Sequence, residues 1–90
     1  MKLKEFLELD IIEEDDKKSI WLDVRNDKDE CEFNIDLNDI LYKGFSREDA
    51  NKLKADTYKM ILEKYGDRNI ISVQPACSMT MDAMFLIIVK

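Results

Sequence analysis

Apolar and polar positions along this chain fall into short blocks of two different periods. Leu3, Phe6 and Leu7 recur at i, i+3 and i+4. That is one face of a helix, and it predicts a short amphipathic helix over residues 3–9 that runs on towards Ile12. The charged run 13–18, Glu-Glu-Asp-Asp-Lys-Lys, predicts a solvated loop. The period then changes to two. Ile20, Leu22 and Val24 alternate with Trp21, Asp23 and Arg25, and Cys31, Phe33 and Ile35 alternate with Glu32 and Asn34. The polar stretch 26–30 between them has the length of a turn. The pair reads as a β-hairpin with one apolar and one wet face.

Residues 36–42 read as one or two helical turns, capped by Asp36 or Asn38, with Gly44 at the position that follows a helix end. Ser46 opens the longest element, a helix over 46–65. Ser46 and Asp49 form a shortened capping box there, with Asp in place of Glu. Its apolar stripe is Ala50, Leu53, Thr57, Tyr58, Ile61, Leu62 and Tyr65. Gly66 is expected to end it in the left-handed conformation. Residues 69–74 read as a strand broken at Pro75, followed by a loop to Asp82 that is longer than a tight hairpin requires. Residues 84–89 are apolar on both faces, which predicts a central strand, or one lying under both a helix and a partner.

The predicted order is α-β-β-α-α-β-β in one domain over residues 1–90. The fold class is α+β: a two-layer, four-stranded antiparallel sheet packed by one long helix, with a short N-terminal helix. Ninety residues suit one domain and not two.

Composition narrows the function classes. The net charge of −6, from 20 acids and 14 bases, disfavours direct binding to nucleic acid, where phosphates demand surplus Lys and Arg, and docking on an anionic membrane. It suits a basic protein partner. No histidine is present, which removes Ser-His and Cys-His nucleophile activation, most catalytic zinc sites and the usual general base near neutral pH. Two cysteines, Cys31 and Cys77, are too few for a disulfide framework, and residues 1–10 lack the apolar core of a signal peptide. A cytoplasmic, reducing setting is expected. The only glycines are Gly44 and Gly66, which excludes phosphate loops and dinucleotide fingerprints. Residues 27–38 begin like a calcium loop, with Asp27-x-Asp29, but Cys31, Glu32 and Asn38 stand where a ligand, the turn glycine and the bidentate Glu belong. No metal and no cofactor are expected.

The remaining candidates are binding residues. Alternation places Trp21 on the polar face of the hairpin beside Asp23 and Arg25. Trp and Arg are favoured interface anchors, although cover by the N-terminal helix would make Trp21 a packing residue instead. Asp27, Asp29, Glu30 and Glu32 supply acidic contacts around the turn. Met79 and Met81, in the last loop, are adaptable contacts for a partner. Cys31 reads as a small core residue and Cys77 as a more accessible thiol.

The expected function is therefore a non-enzymatic, acidic protein-binding module. In size and charge the chain resembles the small acidic inhibitors carried by phages and mobile elements, including anti-CRISPR proteins, though no motif carries that likeness. It implies nucleic-acid mimicry against a basic enzyme groove. The alternatives are a structural homodimer, with the last strand completing a sheet across the dimer, and a small carboxylate- or Cys-dependent enzyme.

Overall fold

The computed structural model describes residues 1–13, 19–42, 45–77 and 83–90. Its elements are α1 (Leu3–Leu7), β1 (Ile20–Arg25), β2 (Cys31–Asp36), a 3-10 helix (Leu37–Tyr42), α2 (Arg47–Tyr65), β3 (Ile70–Cys77) and β4 (Ala83–Val89). The expected α+β order is present. The four strands form one sheet in the order β2-β1-β4-β3.

The sheet is mixed, which corrects the antiparallel expectation. β1–β2 and β3–β4 are antiparallel hairpins, but they join through a parallel β1–β4 pair in which Ile20, Leu22 and Val24 lie opposite Phe85, Ile87 and Val89. The cause is topological. The 3-10 helix and α2 carry the chain from one sheet edge to the other, so β3 returns along the far edge and β4 turns back beside β1. β4 thus has a neighbour on each side. That agrees with its double-faced apolar sequence, and it places β4 inside the sheet of one chain rather than at an edge.

One face of the sheet carries the core. Leu3 and Leu7 of α1, Ile20, Leu22 and Val24 of β1, Leu37 and Ile40 of the 3-10 helix, Ala50 and Ile61 of α2, and Ile87 and Val89 of β4 form one buried cluster. Phe6 and Phe85 meet edge to face at 5.8 Å where α1 crosses β4. α1 is short, and its first amides are satisfied from outside. Leu3 and Lys4 N–H donate to the carbonyls of Arg68 and Gly66 at 2.9 Å, and Glu5 reaches back to the Lys2 N–H at 3.0 Å. These bonds fix it to the turn between α2 and β3.

The sequence reading of α2 holds at its start and needs correction along its length. Ser46 Oγ accepts from the Asp49 N–H at 3.2 Å, as an N-cap does. Of the predicted stripe, Ala50 and Ile61 are buried and Tyr58, Leu62 and Tyr65 pack against the core, whereas Leu53 is 38% exposed and Lys54 is half-buried beside them. Lys54, outside the apolar pattern of the sequence, is half-buried and its ammonium donates to the buried Asn38 amide oxygen at 3.2 Å. Gly66 is not left-handed: φ is −58° and ψ −29°. Glycine is needed there for closeness. A Cβ would overlap the Leu62 carbonyl oxygen and lie 3.3 Å from the Lys4 Cβ. β3 also runs on through Pro75 to Cys77; as an edge strand it tolerates a residue without an N–H. Gly44, proposed as a helix stop, lies outside the described residues.

Candidate functional site

The second face of the sheet is open along β1 and most of β4 among the described residues; at one end Met84 of β4 is buried, its sulfur against the Asn38 amide of the 3-10 helix. Strand alternation and register define it. Trp21, Asp23 and Arg25 of β1 are flanked on one side by Asp36, Asn34 and Cys31 of β2, and on the other by Leu86 and Ile88 of β4. β3 adds Ser72, Gln74 and Ala76 beyond β4. Polar residues thus surround an apolar strip two strands wide.

Trp21 is 36% exposed. Its indole N–H donates to the Asn34 amide oxygen at 2.9 Å across the β1–β2 pair. The N-terminal helix does not cover it, because Leu3 and Leu7 pack into the core on the opposite face. Trp21 therefore presents part of its aromatic surface in one fixed orientation. Asn34 was not singled out from the sequence. Alternation put it on the polar face, but its place diagonal to Trp21 across the ladder follows from the register alone.

Asp23 is only 8% exposed although it lies on this open face. Its Oδ2 accepts from Arg25 Nη2 at 3.1 Å, and Arg25 also pairs with Asp29 at 3.4 Å. These two carboxylates raise the Arg25 pKa further, Asp23 through its hydrogen bond and charge and Asp29 more weakly. Asp23 Oδ1 and Arg25 Nε are buried with no hydrogen-bond partner. Pairs of this kind are completed in proteins by water or by an incoming surface.

Cys31 corrects the sequence reading. It is exposed and does not enter the core. The β1–β2 register shifts between Val24 and Arg25, so Arg25 pairs with Cys31 and Glu32 is the extra residue. One inserted residue moves everything beyond it to the other face. Cys31 therefore joins Asp23 and Arg25. The Asp23 carboxylate, with burial, pushes the thiol pKa above its ordinary value, and Phe33 O and Arg25 oppose this only in part. Cys31 is thus kept in the unreactive thiol form.

The same shift turns Glu32 outward to the helix side. It pairs with Arg68 at 3.7 Å; Arg68 lies over the Tyr65 ring at 5.6 Å, and that ring stacks on Phe33 at 5.1 Å. Glu32 accordingly does not belong to the open face.

The turn places Asp27, Asp29 and Glu30 at the exposed tip of the hairpin. Asn26 organises it. Its Oδ1 accepts from the N–H groups of Lys28 and Glu30 at 2.9 and 3.0 Å, and its backbone bonds Asp29 and Glu30. Asp29 is left-handed, with φ 64°, in the position where such three-residue loops favour Gly. Asp27 lies 3.6 Å from the Lys90 ammonium. The charge of the chain is concentrated here: residues 20–40 hold seven carboxylates and two cations, whereas residues 45–68 hold five carboxylates and six cations.

The structure thus brings together Trp21, Asp23 and Arg25, with Asp27, Asp29 and Glu30 at one end, and leaves Glu32 aside. Met79 and Met81 lie outside the described residues, as do 14–16 of the acidic run. Leu86 and Ile88 join the site as half-buried residues that sequence reasoning assigned to a strand without placing them at a surface. Among the described residues no group of three or more Cys, Asp or Glu side chains is arranged to hold a metal ion, and no helix is long and apolar enough to cross a membrane. No family model, curated protein or solved structure matches the chain.

Proposed function

We propose that this chain is a non-enzymatic, acidic protein-binding module that contacts its partner through the uncovered sheet face. The observation that carries the reading is Trp21, exposed on that face with its indole held by Asn34. A fixed aromatic beside a charged pair is the composition of an interface anchor. The absence of histidine from the sequence, together with a thiol at Cys31 held protonated, supports a binding role over nucleophilic or acid–base chemistry.

The acidic hairpin supports a basic partner. It gives less support to imitation of a nucleic-acid backbone. Asp27, Asp29 and Glu32 each have a cation of the same chain within 4 Å, whereas phosphates along a duplex present unneutralised charge to a protein.

The test is affinity capture from the source cells, followed by binding of the captured protein to two variants. Trp21→Ala should weaken binding by at least roughly tenfold, the loss of a hot-spot side chain. Lys59→Glu, on the exposed side of α2, should leave it unchanged. Equal affinity of the Trp21 variant and the native chain would overturn the reading.

A further inference from the structure

We infer that the element seated on the open face is a cationic amphipathic helix of the partner, lying lengthwise along β1 and β4; the inference rests on the binding-module reading above. Three features of the face lead there.

The first is the pairing of the central strands. β1 and β4 run parallel at the centre of the sheet, and strands covered on both faces read as apolar on both sides. β4 has this character: Ile87 and Val89 enter the core, while Leu86 and Ile88 face the other way and remain half-buried. α2 covers one side only. The open strip made by Trp21, Leu86 and Ile88 is what a second layer would pack against. A six-residue strand spans roughly 20 Å, which matches about 13 residues of helix.

The second is the state of the edges. An extended partner segment would add to a free edge strand. Both edges are guarded. β3 carries Pro75 and an irregularity between Ile70 and Ser72, and β2 faces the register shift at Arg25. Proline and bulges are the usual obstacles to strand addition. Docking on the face suits a helix, not an added strand.

The third is charge. Asp36 lies at one end of the strip beside Trp21, and Glu30 lies at the other with Asp27 and Asp29, which are shared with Lys90 and Arg25. Residues 20–40, with Glu32 on the helix side among them, account for five of the six net negative charges. Cations flanking an apolar stripe complement that distribution. A second copy of this chain would bring the same carboxylates face to face, and like charges so placed are destabilising.

Trp21 is the only tryptophan, so its fluorescence reports on the face directly. The full chain is titrated with three synthetic peptides: a Leu/Lys amphipathic helix, the same composition scrambled so that Leu no longer falls on one side, and a Leu/Glu amphipathic helix. The expected result is a blue shift of Trp21 emission with the first peptide only, weakened by at least roughly tenfold in Ile88→Lys, the scale of a lost anchor contact. If Ile88→Lys fails to fold, Asn34→Arg, at an exposed site on the same face, gives the same reading. Sedimentation should show a monomer. An equal response to the scrambled peptide, no response to any of the three, or self-association that shifts Trp21 emission would overturn the inference. If the captured partner still depends on Trp21 in any of those cases, the binding-module reading stands and only the helix falls.

Discussion

Trp21 and Asn34 lie on neighbouring strands, and the 2.9 Å bond between indole nitrogen and amide oxygen sets the direction in which the ring faces. A core aromatic would be held by packing on all sides; this one is held at its rim and open above. Trp21→Ala should therefore cost far less stability than a core truncation. Ile61→Ala, at a fully buried position, should lower unfolding free energy by about 2–5 kcal/mol. Trp21→Ala should cost less than about 2 kcal/mol, because much of its surface is already in water. Urea denaturation of both variants checks the contrast. Similar losses would place Trp21 in the core.

The hairpin tip makes a second prediction. Asp29 holds a left-handed conformation that costs a non-glycine residue about 1–2 kcal/mol. Asp29→Gly should stabilise the chain by up to about 1 kcal/mol, after loss of an exposed ion pair with Arg25 worth little. Asn26→Ala removes the acceptor for two backbone amides and should destabilise by about 1–2 kcal/mol. Thermal unfolding of the two variants should thus move in opposite directions.

Much of this architecture was legible from period and punctuation. The alternation in 20–25, the cap at Ser46 and the double-faced apolar run at 84–89 each reported a local property, and each appears in the structure. The pairing partner of that last run is a relation between distant segments. Antiparallel and parallel neighbours both satisfy an apolar strand, so the mixed sheet left no mark on it. The fate of Cys31 turned on one inserted residue in the ladder opposite Arg25, and alternation cannot see an insertion. Lys54 hid its role in the same way: a charged helix residue, it is half-buried with its ammonium bound to Asn38. Of the site, Trp21, Asp23 and Arg25 could be placed on one face from spacing alone. Asn34, Leu86 and Ile88 join them only through strand register.

Gly66 offers a third prediction. Its φ lies in the ordinary helical region, so strain is not the reason for glycine. Gly66→Ala should destabilise by about 1–3 kcal/mol through overlap with the Leu62 carbonyl. The perturbation should spread to α1, whose Lys4 amide bonds the Gly66 carbonyl. Amide hydrogen exchange at Leu3 and Lys4 should accelerate in the variant.

The contact between α1 and the α2–β3 turn also gives a pH signature. Lys4 Nζ lies 2.8 Å from Asp67. The hydrogen bond and charge of Lys4, with Lys2 adding to them, lower the Asp67 pKa below 3.8. A depressed folded-state pKa means the contribution is fully present above the unfolded value and is lost as pH falls through the folded one. The contribution of this exposed pair, small beside the backbone bonds and core contacts of α1, should therefore be complete above pH 3.8 and fade below it. A carboxyl NMR titration should show the Asp67 midpoint moving up towards its ordinary value in Lys4→Met, with Lys2 holding back the rest. An unchanged midpoint would refute the pairing.

Cys31 can be tested by its reactivity. With Asp23 raising its pKa, the thiolate fraction is suppressed at mildly alkaline pH. Asp23→Asn should accelerate alkylation of Cys31 by iodoacetamide, read by mass spectrometry in a Cys77→Ser background. A rate unaffected by the substitution would show that the carboxylate does not control the thiol.

The parallel seam between the two hairpins has a consequence for how the molecule assembles. Each hairpin closes between near neighbours in the chain, but the seam joins residues 20–24 to residues 85–89, almost the full length apart. Loop closure on that scale comes before any reward from the contacts it makes, and such topologies fold slowly. Until the seam zips, the inner edges of both hairpins stand bare, with Ile20, Leu22, Ile87 and Val89 unshielded. That interval, not the finished fold, is when the protein is most exposed to aggregation.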